Sequence, residues 1–381
     1  MAKLSDIFIL QMGKTPARAK TEYWNNGDND WVSISDLSSY DKYVGDTKET
    51  ISDEAVKNSG IKAVPPDTVI MSFKLSIGKT AITVKPTYTN EAIMAFIPTG
   101  DFPVFPSYFY HFFSGRDWSK GTNRAVMGNT LNKETLGEID VATLPIEEQI
   151  RIAEHLDKVD NLISLRKQQL SKLDELVKAR FVEMFGDPIS NTKGWETDKA
   201  ENYIDLLSGF PFDSSQYTES GVNICGGLII MPQRIAWNEC KHWCSIDGYE
   251  EYTLKEDDIV IALDRPWISE GFKIAMVDAE HLPALLIQRT ARVRAIGINQ
   301  QYLMHCFLLG GFDDHCNVTG SLVPHISAKD IRNFTIMLPP LTLQEQFATF
   351  VEQTDKSKFE IQKSLEKLET LKKALMQKYF G

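Results

Sequence analysis

LPIEEQIRIAEHLDKVDNLISLRKQQLSKLDELVKARFVEMFG, residues Leu144 to Gly186, and LPPLTLQEQFATFVEQTDKSKFEIQKSLEKLETLKKALMQKYFG, residues Leu338 to Gly381, are the stretches on which the fold turns. Both open on Leu-Pro, pass through Glu-Gln (Glu148-Gln149 and Glu345-Gln346) and close on Phe-Gly (Phe185-Gly186 and Phe380-Gly381). They lie about 195 residues apart, so the chain reads as a tandem duplication of one unit. Apolar residues recur at helical spacing in each: Leu156, Val159, Ile163, Leu170, Leu173, Val177 and Phe181, then Ile361, Leu365, Leu368, Leu371, Leu375 and Tyr379. A continuous helix from Glu148 to Phe185 would be about 57 Å long at 1.5 Å per residue, more than a globular core usually needs. Two stripes of matching length are buried most simply against each other, which predicts paired long helices.

The segments ahead of the helices differ in texture. Residues 1–143 and 195–337 carry short β-type runs, such as Thr68 to Ser72, Ala81 to Val84 and Ile259 to Leu263, punctuated by Gly, Pro, Asn and Asp. Val69 to Ala81 and Ile259 to Ala275 share a strand, turn, glycine, strand order. The expected fold class is α+β: two mixed, sheet-rich domains (1–143 and 188–337), separated by two long antiparallel helices (144–187 and 338–381) that form a coiled coil with pseudo-two-fold symmetry.

With 381 residues, 43% of them apolar, the chain can build more than one core, which excludes a disordered or fibrous protein. Met1 to Leu10 has no export-signal pattern, and no run reaches the roughly 18 apolar residues of a membrane helix; a soluble, cytoplasmic protein is expected. Five cysteines in this length do not make a disulfide framework. The net charge of −11 argues against a protein that coats nucleic acid by charge alone, because phosphate binding depends on Lys and Arg. Local basic residues and basic partners would answer that objection, since base reading needs only a few side chains.

The helical repeats, with Leu-Pro and Glu-Gln ahead of a long helix, resemble the central and C-terminal regions of type I restriction-modification specificity subunits. The junction Arg180 to Trp195 (RFVEMFGDPISNTKGW) and the opening Leu10 to Leu37 (LQMGKTPARAKTEYWNNGDNDWVSISDL) are similar to that family as well. The sequence departs from it at Asp264-Arg265-Pro266-Trp267, where a basic turn is expected. The resemblance implies a subunit without an active site, whose two target-recognition domains each read one half of a split site in double-stranded DNA. It implies two adenine-methyltransferase subunits as partners and, in some systems, restriction subunits. It places S-adenosylmethionine, ATP and magnesium in those partners and no cofactor in this chain. A target adenine would be flipped out by the neighbouring methyltransferase. The helices would act as a spacer between the half-sites. A coiled-coil adaptor that never reads DNA, or the specificity subunit of a methyltransferase-only system, would share the duplicated helices.

No residue pattern for catalysis competes with this reading. Gly13-Lys14-Thr15 and Gly78-Lys79-Thr80 resemble the end of a phosphate-binding loop, but Phe8 and Phe73 stand where its first glycine is required. Pro65-Pro66 and Pro339-Pro340 lack the neighbours of a methyltransferase motif. All five cysteines and five of the seven histidines fall in the second domain, yet Cys240-Lys241-His242-Trp243-Cys244 gives one tight pair where zinc sites need two. No metal is expected.

Base reading calls for Arg, Lys, Asn, Gln, Ser or Thr on loops and strand ends. In the first domain the candidates are Lys14, Arg18, Lys20, Tyr23 and Ser33 in the opening loop, Lys74 and Lys79 at the strand turn, and Asn123, Arg124 and Asn129 ahead of the helix. Trp24 and Trp31 are read as core. In the second domain the candidates are Gln216, Arg234, Arg265, Lys273, Arg289, Arg292 and His325.

Overall fold

The computed structural model describes the chain except residues 75, 119–122, 126–127 and 317–324, and gives backbone alone at 26, 123–125 and 128–130. The chain forms two compact units, Met1–Lys167 with Lys363–Gly381, and Gln168–Gln362. Each unit therefore takes half of each long helix, so the observed division crosses the helices where the sequence reading placed boundaries at their ends.

In the first unit a four-stranded antiparallel sheet runs in the spatial order Phe8–Met12, Ile93–Pro98, Val69–Ser72, Thr80–Ile82. The second unit repeats it with Ile204–Ser208, Thr290–Ala295, Ile259–Ala262 and Ile274–Met276. A three-stranded sheet accompanies each, with one antiparallel and one parallel neighbour in both cases. The inner strands Val69–Ser72 and Ile259–Ala262 are buried at every residue, because both faces of each sheet are covered there.

A short helix packs on each four-stranded sheet: Pro106–Ser114 in the first unit, Gln300–Leu309 in the second. Pro106 begins the first without loss, since the opening N–H of a helix has no intrahelical acceptor. Tyr108, Phe109, Phe112 and Phe113 then line the buried side, and Phe113 stacks on Phe96 at 4.1 Å.

The two helical repeats are anchored by equivalent buried glutamines. Gln149 donates to the carbonyls of Pro103 (2.9 Å) and Leu144 (3.0 Å) and accepts from the Phe105 N–H (2.9 Å). Gln344 donates to the Pro339 carbonyl (2.8 Å) and accepts from the Asn299 N–H (2.9 Å). A primary amide offers both donors and acceptors, so one side chain can satisfy loop groups that the core hides from water. The match of Gln149 with Gln344 corrects the sequence pairing of Glu148-Gln149 with Glu345-Gln346, because Gln346 is exposed. Ile152, Leu156 and Val159 accordingly correspond to Phe347, Val351 and Thr354, all buried.

The long helices, Ile146–Phe185 and Leu341–Phe380, have 40 residues each, about 60 Å apiece at helical rise. Within the first unit His155 meets Tyr379, Asp160 meets Lys372 (2.5 Å) and Lys167 meets Glu369 (3.7 Å), so the segments run antiparallel. Within the second unit Asp174 meets Lys358 (2.7 Å), while Phe181 and Phe185 reach Phe347 at 5.3 and 5.5 Å, in the same sense. One member of the predicted stripe is wrong: Leu371 is 46% exposed. The step from Leu368 to Leu371 rotates off the buried line, and Lys372 takes the inward position with Asp160 as its partner. Among the described residues no helix is long and apolar enough to cross a membrane.

Candidate nucleic-acid interface

Most of the first unit's candidates hold the protein together. The Arg18 guanidinium lies 3.6 Å over the Trp24 ring and donates to both Glu49 oxygens, at 2.5 and 3.0 Å. Lys20 donates to the Tyr23 hydroxyl (2.9 Å), Asn58 donates to it as well, and the Tyr23 ring is only 3% exposed. Tyr23 is therefore core, a correction to its reading as a DNA contact. Trp24 and Trp31 are buried in the same cluster, as expected. Lys14 donates to the Ser59 carbonyl. Ser33 caps the helix Ile34–Ser39, its hydroxyl accepting from the Asp36 N–H, which is also a structural use. Lys79 stands exposed at the strand turn, and Lys74, half-buried, covers the edge of Phe73. Asn123, Arg124 and Asn129 fall on a paired strand hairpin, 123–125 with 128–130, and their side chains lie outside the described residues.

The second unit is sorted more sharply. Arg292 points inward: 5% exposed and ion-paired with Asp205, it has its pKa lowered by burial first and then by Arg294. That too corrects the sequence reading, because a guanidinium buried against Asp205 is not presented to a ligand. Gln216 and Arg234 are exposed but sit on separate elements, the turn Ser214–Gln216 and the strand Arg234–Ile235.

Arg265, Lys273, Arg289 and His325 are brought together. The Leu263 N–H donates to the Arg289 carbonyl (2.9 Å) and the Ile326 N–H donates to the Leu263 carbonyl (2.9 Å), which joins three loops beyond the end of the sheet. Asp264 stands between them, with Oδ1 on His325 Nδ1 (2.6 Å) and Oδ2 on an Arg289 nitrogen (3.0 Å). Lys273 lies beneath, buried, donating its Nζ to the Gly227 carbonyl; burial first, then Arg265, lowers its pKa. The surface hollow there has a volume of about 440 Å³. Sequence reasoning missed Asp264, Gln288 and Leu228. The first announced itself only as a departure from an expected basic turn, and Leu228, 91% exposed, follows two glycines in an otherwise unremarked loop.

The cysteines do not assemble a site. Cys225 and Cys306 are buried thiols whose pKa values burial raises, to a final value of about 12 for Cys306. Cys240 contacts Asn223 and His242, and among the described residues no three His, Cys, Asp or Glu side chains are grouped to hold a metal.

The duplicated sheet units and paired helices define a class, and sequence comparison gives its name. Residues 1–175 and 245–373 match the family model described as the type I restriction modification DNA specificity domain, and the chain belongs to that family. It is similar to the type I restriction enzyme MjaIX specificity subunit of Methanocaldococcus jannaschii, at 25% identity over 401 residues, covering 99% of this chain and 91% of that one. The EcoAI specificity subunit of Escherichia coli is 29% identical over 195 residues, 48% of this chain and 33% of its own. The fold is similar to the crystal structure of the type I restriction-modification S subunit from M. genitalium, with a TM-score of 0.59, 14% identity, and coverage of 100% and 95%. The stretch 176–244, which the family model does not match, contains the Gly226-Gly227-Leu228 loop.

Proposed function

We propose that this chain is a non-catalytic DNA-reading subunit that recognises a bipartite duplex site, one half per compact unit, and carries two adenine-methyltransferase subunits, with restriction subunits as further partners. The observation that carries the reading is one scaffold built twice with different ends. The same four-stranded ladder recurs, but the link after Ser72 spans residues 73–79, whereas the longer link after Ala262, residues 263–273, carries the hairpin Trp267–Ile268 with Gly271–Phe272. A shared scaffold with unlike loops suits two sites that differ in sequence. Two copies of the partner are supported by the helices, where Leu176 and Leu371 occupy equivalent positions and are 47% and 46% exposed. S-adenosylmethionine, ATP and magnesium then belong to the partners, and the chain works in the cytoplasm.

The test has two arms. The purified chain alone should transfer no methyl group, cut no DNA and hydrolyse no ATP. Together with its methyltransferase it should enrich a gapped two-part motif from a random duplex pool. Turnover by the chain alone would end the non-catalytic reading, and failure to enrich any motif would leave a helical adaptor.

A further inference from the structure

We propose that Asp264, Arg265, Arg289 and His325 form the base-reading site of the second unit, with Arg289 as the reader of a guanine and Arg265 as a phosphate contact. The proposal rests on the reading of the chain as a DNA specificity subunit.

Backbone geometry singles out these arginines. Arg265 has φ 46° and Arg289 φ 63°, in the left-handed region that few non-glycine residues enter. Such conformations persist where surrounding structure holds them, and they gather at binding sites. Here the holding contacts are the hydrogen bonds that tie Leu263, Arg289 and Ile326 into one platform. The result aims both arginines outward; the Arg289 side chain is 75% exposed and that of His325 is 59% exposed. In a chain of net charge −11, Arg265, Arg289 and His325 line one hollow, Asp264 pairs with Arg289 and His325, and Lys273 lies beneath on the Gly227 carbonyl.

The carboxylate decides what each arginine reads. Asp264 ion-pairs with one Arg289 nitrogen at 3.0 Å, which draws the guanidinium toward the platform and leaves its other nitrogens to a ligand. It also repels a phosphate from that position. The neutral acceptors of a guanine edge, O6 and N7, pay no such penalty and match the arginine fork. Arg265 makes no hydrogen bond or ion pair to any described residue, and its cation is left for the DNA backbone. Lys273 pins the Gly227 carbonyl from below, so the rim that carries Leu228 is fixed to the same platform.

The experiment uses the full chain assembled with its methyltransferase, and sequences the duplexes it selects from a random pool. Exchange of residues 196–335 first identifies which half of the motif belongs to the second unit. That half should contain a guanine. In Arg289→Ala its preference should fall roughly ten- to hundred-fold at that one position, with the other half unchanged. Arg265→Ala should bind every sequence more weakly, keep the motif, and flatten the slope of log affinity against log salt by about 1. Asp264→Asn, which keeps the shape of the site, should weaken the same guanine preference, and it decides the matter if Arg289→Ala does not assemble. Retention of the full motif by a well-assembled Arg289→Ala complex, or a second half-site without guanine, would overturn the assignment. A wild-type complex that selects no gapped motif would instead overturn the function on which it rests.

Discussion

His111 and His305 stand three residues after the equivalent tyrosines Tyr108 and Tyr302, on equivalent helices, yet one faces a carboxylate and the other aromatic rings. His111 lies 2.7 Å from Asp157, which also bonds Lys42, and the hydrogen bonds of both partners outweigh burial to lower the Asp157 pKa. His305 instead packs against Phe347 and Phe181, donates Nδ1–H to the Gln301 carbonyl, and burial moves its pKa from the ordinary 6.5 to about 4. A histidine kept neutral in the fold binds its proton more readily when unfolded. Stability should therefore be intact above about 6.5 and fall as pH drops toward 4, by about 1.4 kcal/mol per pH unit at most. Denaturant titrations across that window should show a steeper slope in wild type than in His305→Phe; equal slopes would mean His305 is not the group responsible. Arg292 yields a second contrast. Because it is buried against Asp205, Arg292→Ala should lower stability by about 1–3 kcal/mol, measured by melting, and leave the selected DNA motif as it was. The sequence could not separate Arg292 from Arg289. Three positions apart, they look alike in composition, and only the strand register sends one inward and lifts the other onto the rim.

At the scale of elements, the helices were legible throughout and the sheets in part, in runs such as Val69–Ser72 and Ile259–Ala262. Leucine, valine and phenylalanine at helical spacing, repeated after about 195 residues, specified both long helices, because a buried stripe requires that period whatever it packs against. The doubled sheets left only a faint trace, since a strand buried on both faces demands apolar residues without dictating which. The glutamine anchors lay between these cases: Glu-Gln was visible in both repeats, but the pairing of Gln149 with Gln344 needed the hydrogen bonds. Gln149→Ala would strand buried carbonyls and the Phe105 N–H, and should cost about 1–3 kcal/mol, with Gln344→Ala acting alike on the second unit. Hydrogen exchange should show each loss in the unit that carries the substitution; loss spread evenly over both would contradict two separate cores. The exposed leucines make a further prediction. Leu176→Asp or Leu371→Asp alone should lower the methyltransferase carried from two copies to one, and the double variant to none, as read by native mass spectrometry. Full occupancy of the double variant would remove the helices as the docking surface.

For the whole molecule, a net charge of −11 sets a limit on what the chain does alone. Phosphate contacts supply much of the affinity of DNA-binding proteins, and among the described residues several cations of this chain are already engaged inside it. Arg18, Lys20 and Arg292, which composition offers as DNA contacts, are bound to Glu49, Tyr23 and Asp205. On the proposed reading, its contribution would be base reading by small platforms such as the one around Asp264, with partner subunits supplying the clamp. The central claim is that each compact unit reads its own half-site, and it is tested most directly by exchanging residues 196–335 for the matching segment of a relative and selecting from a random duplex pool with the methyltransferase bound. The account predicts that one half of the gapped motif changes to the relative's sequence while the other half stays as in wild type. A change in both halves, or in neither, would contradict it.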